Sequence, residues 1–370
     1  MLLEYVFIAF IAIVCIQFMY YIPLFGSFAF SRQHTNPPSF NKPISVIICA
    51  KNEAKNLTKN IPTFIEQNYS DFELVLINDS SHDDTLNILE AFQKKQPSLI
   101  KIVNVAANEQ FWGSKKYALT LGIKAASHEY LLFSDADCKP ISKNWITEMA
   151  GNYSDSKELI LGYGAYKKIN KSFLNKIIRF ETLITAVQYF SYAKIGIPYM
   201  GVGRNLAYTK DLFFANKGFV NHIKIKSGDD DLFVNQVATK KNTAICTSTN
   251  SFTISTPKTS FKNWIQQKRR HISTASHYKP LHKFLLGLYY SSQLLFWMLS
   301  AVLLLFLYNW QIVVGLFIFR NILLYLSVGI SAKKINEKDL ILFLPIYELF
   351  LILVQLFIFI KNLSSKPSHW

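Results

Sequence analysis

Two aspartates one residue apart, Asp135 and Asp137, follow an apolar run and are separated by Ala136. In extended chain alternate side chains share a face, so this spacing predicts that both carboxylates point the same way. Converging carboxylates suit a hard divalent cation, Mg2+ or Mn2+, with oxygen ligands. Such an ion bridges a diphosphate and neutralises charge as it leaves. Asp135 is also in position to hold a ribose. Asp-x-Asp alone recurs on solvated loops, so its weight depends on what surrounds it.

Three further groups could share its chemistry. Asp79 follows a second apolar run and precedes Ser80 and Ser81. Its carboxylate would accept from a uracil N–H or a ribose hydroxyl. The same stretch also reads as a helix start, with Asp83 and Asp84 in the first turn. Lys115 follows Gly113 and Ser114 at the head of a helical pattern. A helix N-terminus with a lysine contacts diphosphate oxygens; a solvated lysine is the equal alternative. The third group is Ser227-Gly228-Asp229-Asp230-Asp231-Leu232. Adjacent carboxylates repel, so their proximity costs stability unless a cation or a mechanism uses it. Asp229 or Asp230 would act as general base towards an acceptor hydroxyl; acids decorating a helix start are the plain reading. The basic run Gln267-Lys268-Arg269-Arg270-His271 reads as a membrane-surface patch or as a closure over an anionic leaving group.

The elements that must position these groups are visible as alternating patterns between about Asn41 and His282. Residues 45–50, 74–77, 100–103 and 130–133 are continuous apolar runs rich in β-branched residues, as in buried parallel strands. Lys115 to Ala126 carries helical periodicity. The pattern predicts an α/β domain with a mainly parallel sheet, whose ligand lies beyond the carboxyl ends of the strands. Lys51-Asn52-Glu53, Asn78-Asp79 and Ser134-Asp135 all follow strands, so polar and acidic groups gather at one edge. The absence of Gly-x-Gly-x-x-Gly after a strand, and of a Walker loop, disfavours nicotinamide dehydrogenases and P-loop ATPases.

The ends of the chain are of different composition. Residues 1–25 form an apolar run long enough to cross a bilayer. Glu4 stands where a signal peptide would be basic, which favours an uncleaved anchor. Residues 284–361 hold three more candidate spans, about 284–308, 312–330 and 340–360. Lys333, Lys334 and Lys338 between the last two predict a cytoplasmic loop, hence a cytoplasmic central domain in the plasma (inner) membrane. Arg320 and Glu348 come to one depth on neighbouring spans, which predicts an intramembrane ion pair. Residues 180–199 read either as an interface helix for a lipid acceptor or as a buried domain helix. The net charge of +16 fits an anionic leaflet and phosphate-bearing substrates. No nucleic-acid module accompanies it. Cys15, Cys49, Cys138 and Cys246 are too scattered for zinc and read as free thiols.

In their order these motifs resemble family 2 glycosyltransferases of GT-A fold, in the membrane-bound branch with polysaccharide synthases and ceramide-glucosyltransferase-like enzymes. The resemblance covers roughly residues 43 to 271. It implies a nucleotide-sugar-binding domain at 41–282, between an anchor at 1–25 and about three helices at 284–361. Residues 43–53 look like the family's first strand and nucleotide loop, which makes Ala50, Asn52, Glu53 and Asp79 donor contacts. Gly113-Ser114-Lys115 resembles the donor lysine segment, and Asp135-Ala136-Asp137 the metal motif. Aligning on Leu232 puts the base at Asp229 and puts Gly228 where a Glu often stands, with Asp230 adjacent. Gln267 to His271 is similar to Gln-x-x-Arg-Trp, with His271 in place of Trp. Gln267, Arg270 and His271 are thereby implied on the leaving-group and acceptor side. Gly203, Arg204 and Asn205 sit where such enzymes form the acceptor wall.

The resemblance implies inverting transfer of a sugar from a nucleotide donor, UDP being expected, to a lipid-linked or membrane-associated acceptor at the cytoplasmic face. A processive polysaccharide synthase is the rival within enzymes, although one anchor and three spans are few for a channel. A non-catalytic scaffold that kept the fold is the rival of another class.

Overall fold

The structure, a computed structural model, describes residues 1–32, 40–106, 115–225 and 227–364. In chain order the helices are α1 (Leu2–Met19), α2 (Gly26–Ala29), α3 (Ala54–Ile65), α4 (Thr85–Lys95), α5 (Lys115–Ala125), α6 (Trp145–Ala150) and α7 (Phe173–Lys194). They continue with α8 (Lys210–Ala215), α9 (Asp231–Val237), α10 (Phe261–Thr274), α11 (Pro280–Leu305), α12 (Trp310–Leu324), α13 (Ile330–Lys334) and α14 (Leu344–Ser364). The strands are β1 (Ile44–Ala50), β2 (Phe72–Asp79), β3 (Ile100–Val105), β4 (Tyr130–Asp135), β5 (Cys138–Pro140), β6 (Leu159–Leu161), β7 (Gly164–Tyr166), β8 (Leu206–Thr209), β9 (Thr243–Ile245) and β10 (Thr253–Ser255).

These elements fall into two compact units. The sheet unit comprises Gln33–Lys168 and Gly196–Pro257; the helical unit comprises Met1–Arg32, Ile169–Ile195 and Lys258–Trp370. Helices α7 and α10 therefore group with the apolar helices.

In the sheet unit the four apolar runs form β1 to β4, all parallel, within a seven-stranded sheet of order β3-β2-β1-β4-β8-β6-β9. The side chains of β1, β2 and β4 are buried on both faces, which is why they read as unbroken apolar stretches, while β3 is the edge strand and exposes Lys101 and Asn104. The other half is mixed: β8 is antiparallel to β4 and to β6, and β9 is parallel to β6. A second sheet, β5-β10-β7, lies beside it in the order of the chain. The core between β1, β2 and β4 and helices α3 and α6 contains Val46, Leu57, Phe64, Leu76, Leu132 and Trp145. The register aligns Ala50 with Asn78 and Cys49 with Asp135, so the carboxyl ends of β1, β2 and β4 end level.

In the helical unit four helices are long and apolar enough to cross a membrane: Leu2–Ala29, Pro280–Leu305, Trp310–Lys334 and Lys338–Ser364. The expected pair forms: a guanidinium nitrogen of Arg320 lies 2.7 Å from Glu348, and both side chains are buried. Tyr21 and Gln293 also donate to the Glu348 carboxylate, each at 2.8 Å. The stretch around residue 180 is α7, a long and largely buried helix. All four cysteines are free.

Candidate active site

The site is built at the carboxyl edge of the parallel strands. Strand β4 delivers Asp135 at its last residue. The chain then turns at Ala136 and Asp137 before β5. Extended alternation therefore does not bring the two acids together, as the spacing alone suggested; the turn does. The turn is held by Asn60, whose amide donates to the Ala136 carbonyl at 2.9 Å. The carboxylates of Asp135 and Asp137 and the thiol of Cys138 each offer an atom within 4.8 Å of the others. Burial, then the Asp135 charge, raises the pKa of Asp137.

Lys115 sits at the head of α5 with its ammonium 2.8 Å from Asp135 and 2.8 Å from Asp229. Burial would pull its pKa down, but the two carboxylates outweigh that and hold it well above the ordinary lysine range. The residues before it, Gly113 and Ser114, lie outside the described residues. Lys115 thus joins the acids at the end of β4 to the acidic cluster ahead of α9. One concavity is lined by Cys49, Lys115, Asp135, Tyr208, Asp229 and Asp230, among others.

Asp229 and Asp230 are adjacent yet differ in environment. Burial opposes ionisation of Asp229, but the ammonium of Lys115 prevails and lowers its pKa. Burial and the neighbouring Asp229 and Asp231 push Asp230 up to about 7. The Asp230 carboxylate accepts from the N–H of Gly203 and of Asp231, both at 2.7 Å. Gly203 thereby couples the wall Gly203–Asn205 to the acidic cluster. Gly228 has φ +91°, and a Cβ there would meet Leu232 at 2.5 Å. At this positive φ a side chain at 228 would be strained and would require Leu232 to move.

The residues that follow β1 and β2 form a stitched pair of loops. Asn52 (φ 56°) accepts from the His82 N–H at 2.8 Å, and its own N–H donates to Ser81 at 3.0 Å. The Glu53 N–H donates to Thr85 at 2.9 Å. Ala50 ends β1 beside them. Asp79 is buried at the end of β2, with Lys51 at 3.9 Å, and burial raises its pKa. The expected helix start is displaced: α4 begins at Thr85 with Asp84 as its N-cap, so Asp83 and Asp84 precede the first turn, and Asp83 accepts from the Thr85 N–H at 3.0 Å, while Asp79 stands at the end of β2.

On the wall, the Arg204 guanidinium lies 4.4 Å from the centroid of the Tyr166 ring and donates to Ser255 at 3.1 Å. The charge of Asp137 contributes to holding Arg204 protonated. Asn205 is buried, and its amide is used by Trp145, Tyr163 and Ser251 at 2.7–3.0 Å. It shapes the wall from behind. Gln267, Arg270 and His271 are on α10 of the helical unit.

Two residues escaped the sequence reading. Tyr208 lines the concavity and stacks on Phe133 at 4.3 Å. Lys116, adjacent to Lys115, is buried and donates to the carbonyls of His222, Ile225 and Ser227 at 2.8–2.9 Å. It clamps the segment that leads into Asp229. The available signal was the doublet itself, because neighbouring helix residues face different directions.

A half-parallel, half-mixed sheet with a polar loop after β1, paired acids after β4 and an acidic cluster beside them has the arrangement of a GT-A glycosyltransferase domain. The sequence model of "Glycosyl transferase family 2" matches residues 45–212, so this segment carries a family 2 glycosyltransferase domain. An uncharacterized glycosyltransferase of Haemophilus influenzae is 34% identical over 128 residues, 34% of this chain and 37% of that protein. A poly-beta-1,6-N-acetyl-D-glucosamine synthase of Staphylococcus epidermidis is 33% identical over 94 residues, 25% of this chain and 21% of that protein. The chain thus spans little more than a third of the length of these relatives at most. A mannosyltransferase from Pyrobaculum calidifontis, solved in complex with GDP-Man and Mn2+, matches with a TM-score of 0.58 at 17% identity, over 94% of this chain and 99% of that one. At that identity the likeness shows the fold.

Proposed function

We propose that this chain transfers a sugar from a nucleotide donor to a hydroxyl of a membrane-associated acceptor, with inversion at the anomeric carbon. The observation that carries the reading is Lys115, which ties the acids after β4 to the acids before α9 across 2.8 Å contacts on both sides. Donor chemistry and base chemistry thereby share one concavity.

Asp135 and Asp137 fit a divalent cation of the Mg2+ or Mn2+ kind. They are oxygen donors, they are close, and their mutual repulsion is relieved by positive charge. The Cys138 thiol is a poor third ligand, because burial and Asp137 raise its pKa well above the ordinary range and keep it protonated. When bound, the cation would neutralise the departing diphosphate.

The remaining roles belong to the chain. Asp79 and the Ala50–Glu53 loop hold the nucleoside. The acceptor oxygen attacks the anomeric carbon and its proton passes to the Asp229–Asp230 pair, one member ionised and the other titrating near neutrality. The bond to the donor's diphosphate breaks on the opposite face, and Lys115 meets the charge that leaves. Arg204 stands on the acceptor wall; Gln267, Arg270 and His271 of α10 are assigned to the leaving-group and acceptor side by the resemblance of their motif alone. With no second carboxylate assigned as nucleophile, a single displacement inverts the anomeric centre. The domain acts at the cytoplasmic face, where the lysines between the last two apolar stretches favour it.

The test is a panel of labelled nucleotide sugars, UDP donors first, on membranes containing the chain. Asp137→Ala and Asp229→Asn are each expected to abolish transfer while membrane insertion is retained. Wild-type turnover in purified Asp229→Asn would remove that residue from the pair. A second reading, processive synthesis, has support in the name of the Staphylococcus epidermidis relative. A ladder of products in the same assay would establish it over single transfer.

A further inference from the structure

By composition α14 is a spanning helix like α1, α11 and α12; its contacts describe a different course. The other three define the two ends of the bundle. Phe7 packs on Tyr308 with ring centroids 6.0 Å apart, which marks the distal end. At the proximal end Tyr20 donates to the Leu285 carbonyl at 2.6 Å, and Lys334 donates to the Phe28 carbonyl at 2.7 Å. Arg32 leaves α1's continuation and Pro280 begins α11 at this proximal end.

The approach to α14 is fastened proximally. Arg179 of α7 holds Glu337 at 2.9 Å and Asp339 at 2.8 Å. Tyr325 donates to the Leu342 carbonyl at 3.1 Å. Further along, Glu348 meets Gln293 and Trp297 of α11. A helix bound for the distal end would next meet α11 beyond Trp297. Instead Tyr290 donates to the Ile352 carbonyl at 3.3 Å, back towards the start of α11. From there α14 runs beside α10: Phe350 packs on Phe261, and Asn362 accepts from Arg269 at 2.7 Å. Helix α10 contains Lys262, Lys268, Arg269, Arg270 and His271. A helix so charged stays out of hydrocarbon and belongs at the headgroup level.

Both ends of α14 are therefore tied to proximal elements, by Arg179 and by Arg269. Its 21 residues would reach across a bilayer only if it stood upright. We propose that α14 does not cross the membrane but lies in the plane of the proximal leaflet, with the headgroup–acyl boundary of that leaflet as its partner. Of its exposed apolar residues, Ile346, Leu353, Phe357 and Ile360 follow at intervals of seven, four and three as one stripe of the helix, and Phe359 and Leu363 widen the exposed surface towards its C-terminal end. Tyr347, Leu351 and Ile358, on the other side, are buried. The stripe faces acyl chains, the buried side faces α7, α10 and α11, and the crossing helices number three.

The test places single cysteines at Asn309 (distal turn), Lys338 (proximal approach) and Ser364 in the full chain. Sealed vesicles of both orientations are treated with a membrane-impermeant maleimide, and the label is located by peptide mass, so the native cysteines do not interfere. Cys at 364 is expected to react in the orientation that labels 338 and to be lost in the one that labels 309. Labelling of 364 together with 309 overturns the proposal. If 364 is shielded in both, an Arg269→Cys, Asn362→Cys pair is treated in the membrane with a short bis-maleimide: a bridge supports the in-plane helix, and its absence overturns it.

Discussion

Asp230 is the residue at which the site's cost and its chemistry can be separated. Its carboxyl is pushed from the ordinary 3.8 up to about 7, by burial first and then by Asp229 and Asp231. The folded chain therefore holds a proton between those pH values that the unfolded chain has lost. Stability attributable to this group falls as pH rises from about 4 to 7 and stays low above. At about 1.4 kcal/mol for each pH unit the full cost is roughly 4 kcal/mol. Asp230→Asn removes the charge but spoils one of two hydrogen bonds, because the carboxylate accepts from Gly203 and Asp231 on different oxygens. That loss is ~1.5–3 kcal/mol. The net expectation above pH 8 is a variant more stable by ~1–2 kcal/mol, or about 2–8 °C in melting temperature for a unit of this size. At pH 5 the native carboxyl is already neutral, so the gain disappears or reverses. Thermal melts of purified wild type and Asp230→Asn in detergent with a chelator, from pH 5 to 9, measure this, and transfer assays should find the stabilised variant inactive. A melting difference that is flat across this range would refute the reasoning.

The wild-type kcat/KM should rise with pH through about 7 and level off, because the Asp229–Asp230 pair accepts a proton only when its weaker acid is ionised; a profile already flat at pH 5.5 would contradict it. Gly228→Ala should cost ~1–3 kcal/mol and displace the cluster, since its φ is +91° and the new Cβ meets Leu232 at 2.5 Å; melts and transfer rate both report it. Lys116→Met leaves three carbonyls without their donor and should cost ~1–3 kcal/mol, with proteolysis between residues 222 and 231 enhanced. Glu348→Gln should lower the recovery of folded protein from membranes, by ~3–5 kcal/mol of lost stability. The Arg320→Met, Glu348→Met pair should recover much of it, because no charge is then stranded.

What could be read ahead of the structure followed from which physical signals are local. Strands β1, β2 and β4 announce themselves because burial on both faces demands unbroken runs of Ile, Val and Leu, and Asp79 and Asp135 follow directly from where those runs stop. Strands β6 and β9, three residues each, have no period to display. The convergence of Asp135 and Asp137 was expected for an insufficient reason: a turn held by Asn60, distant in sequence, performs it. Lys116 was invisible because its role depends on three carbonyls more than a hundred positions away. Gly228 looked like a departure from a motif, and only its positive φ reveals a backbone that a residue with a side chain would strain. The Arg320–Glu348 pair was readable because a charge buried among apolar helices is usually met by an opposite one, although Tyr21 and Gln293 also donate to Glu348 and the depth count assumed that both helices cross. Length and apolar content, by contrast, encode how far a helix can reach and not which way it runs. For α14 the direction resides in Arg179 of α7 and Arg269 of α10, two cations whose contacts no composition window contains.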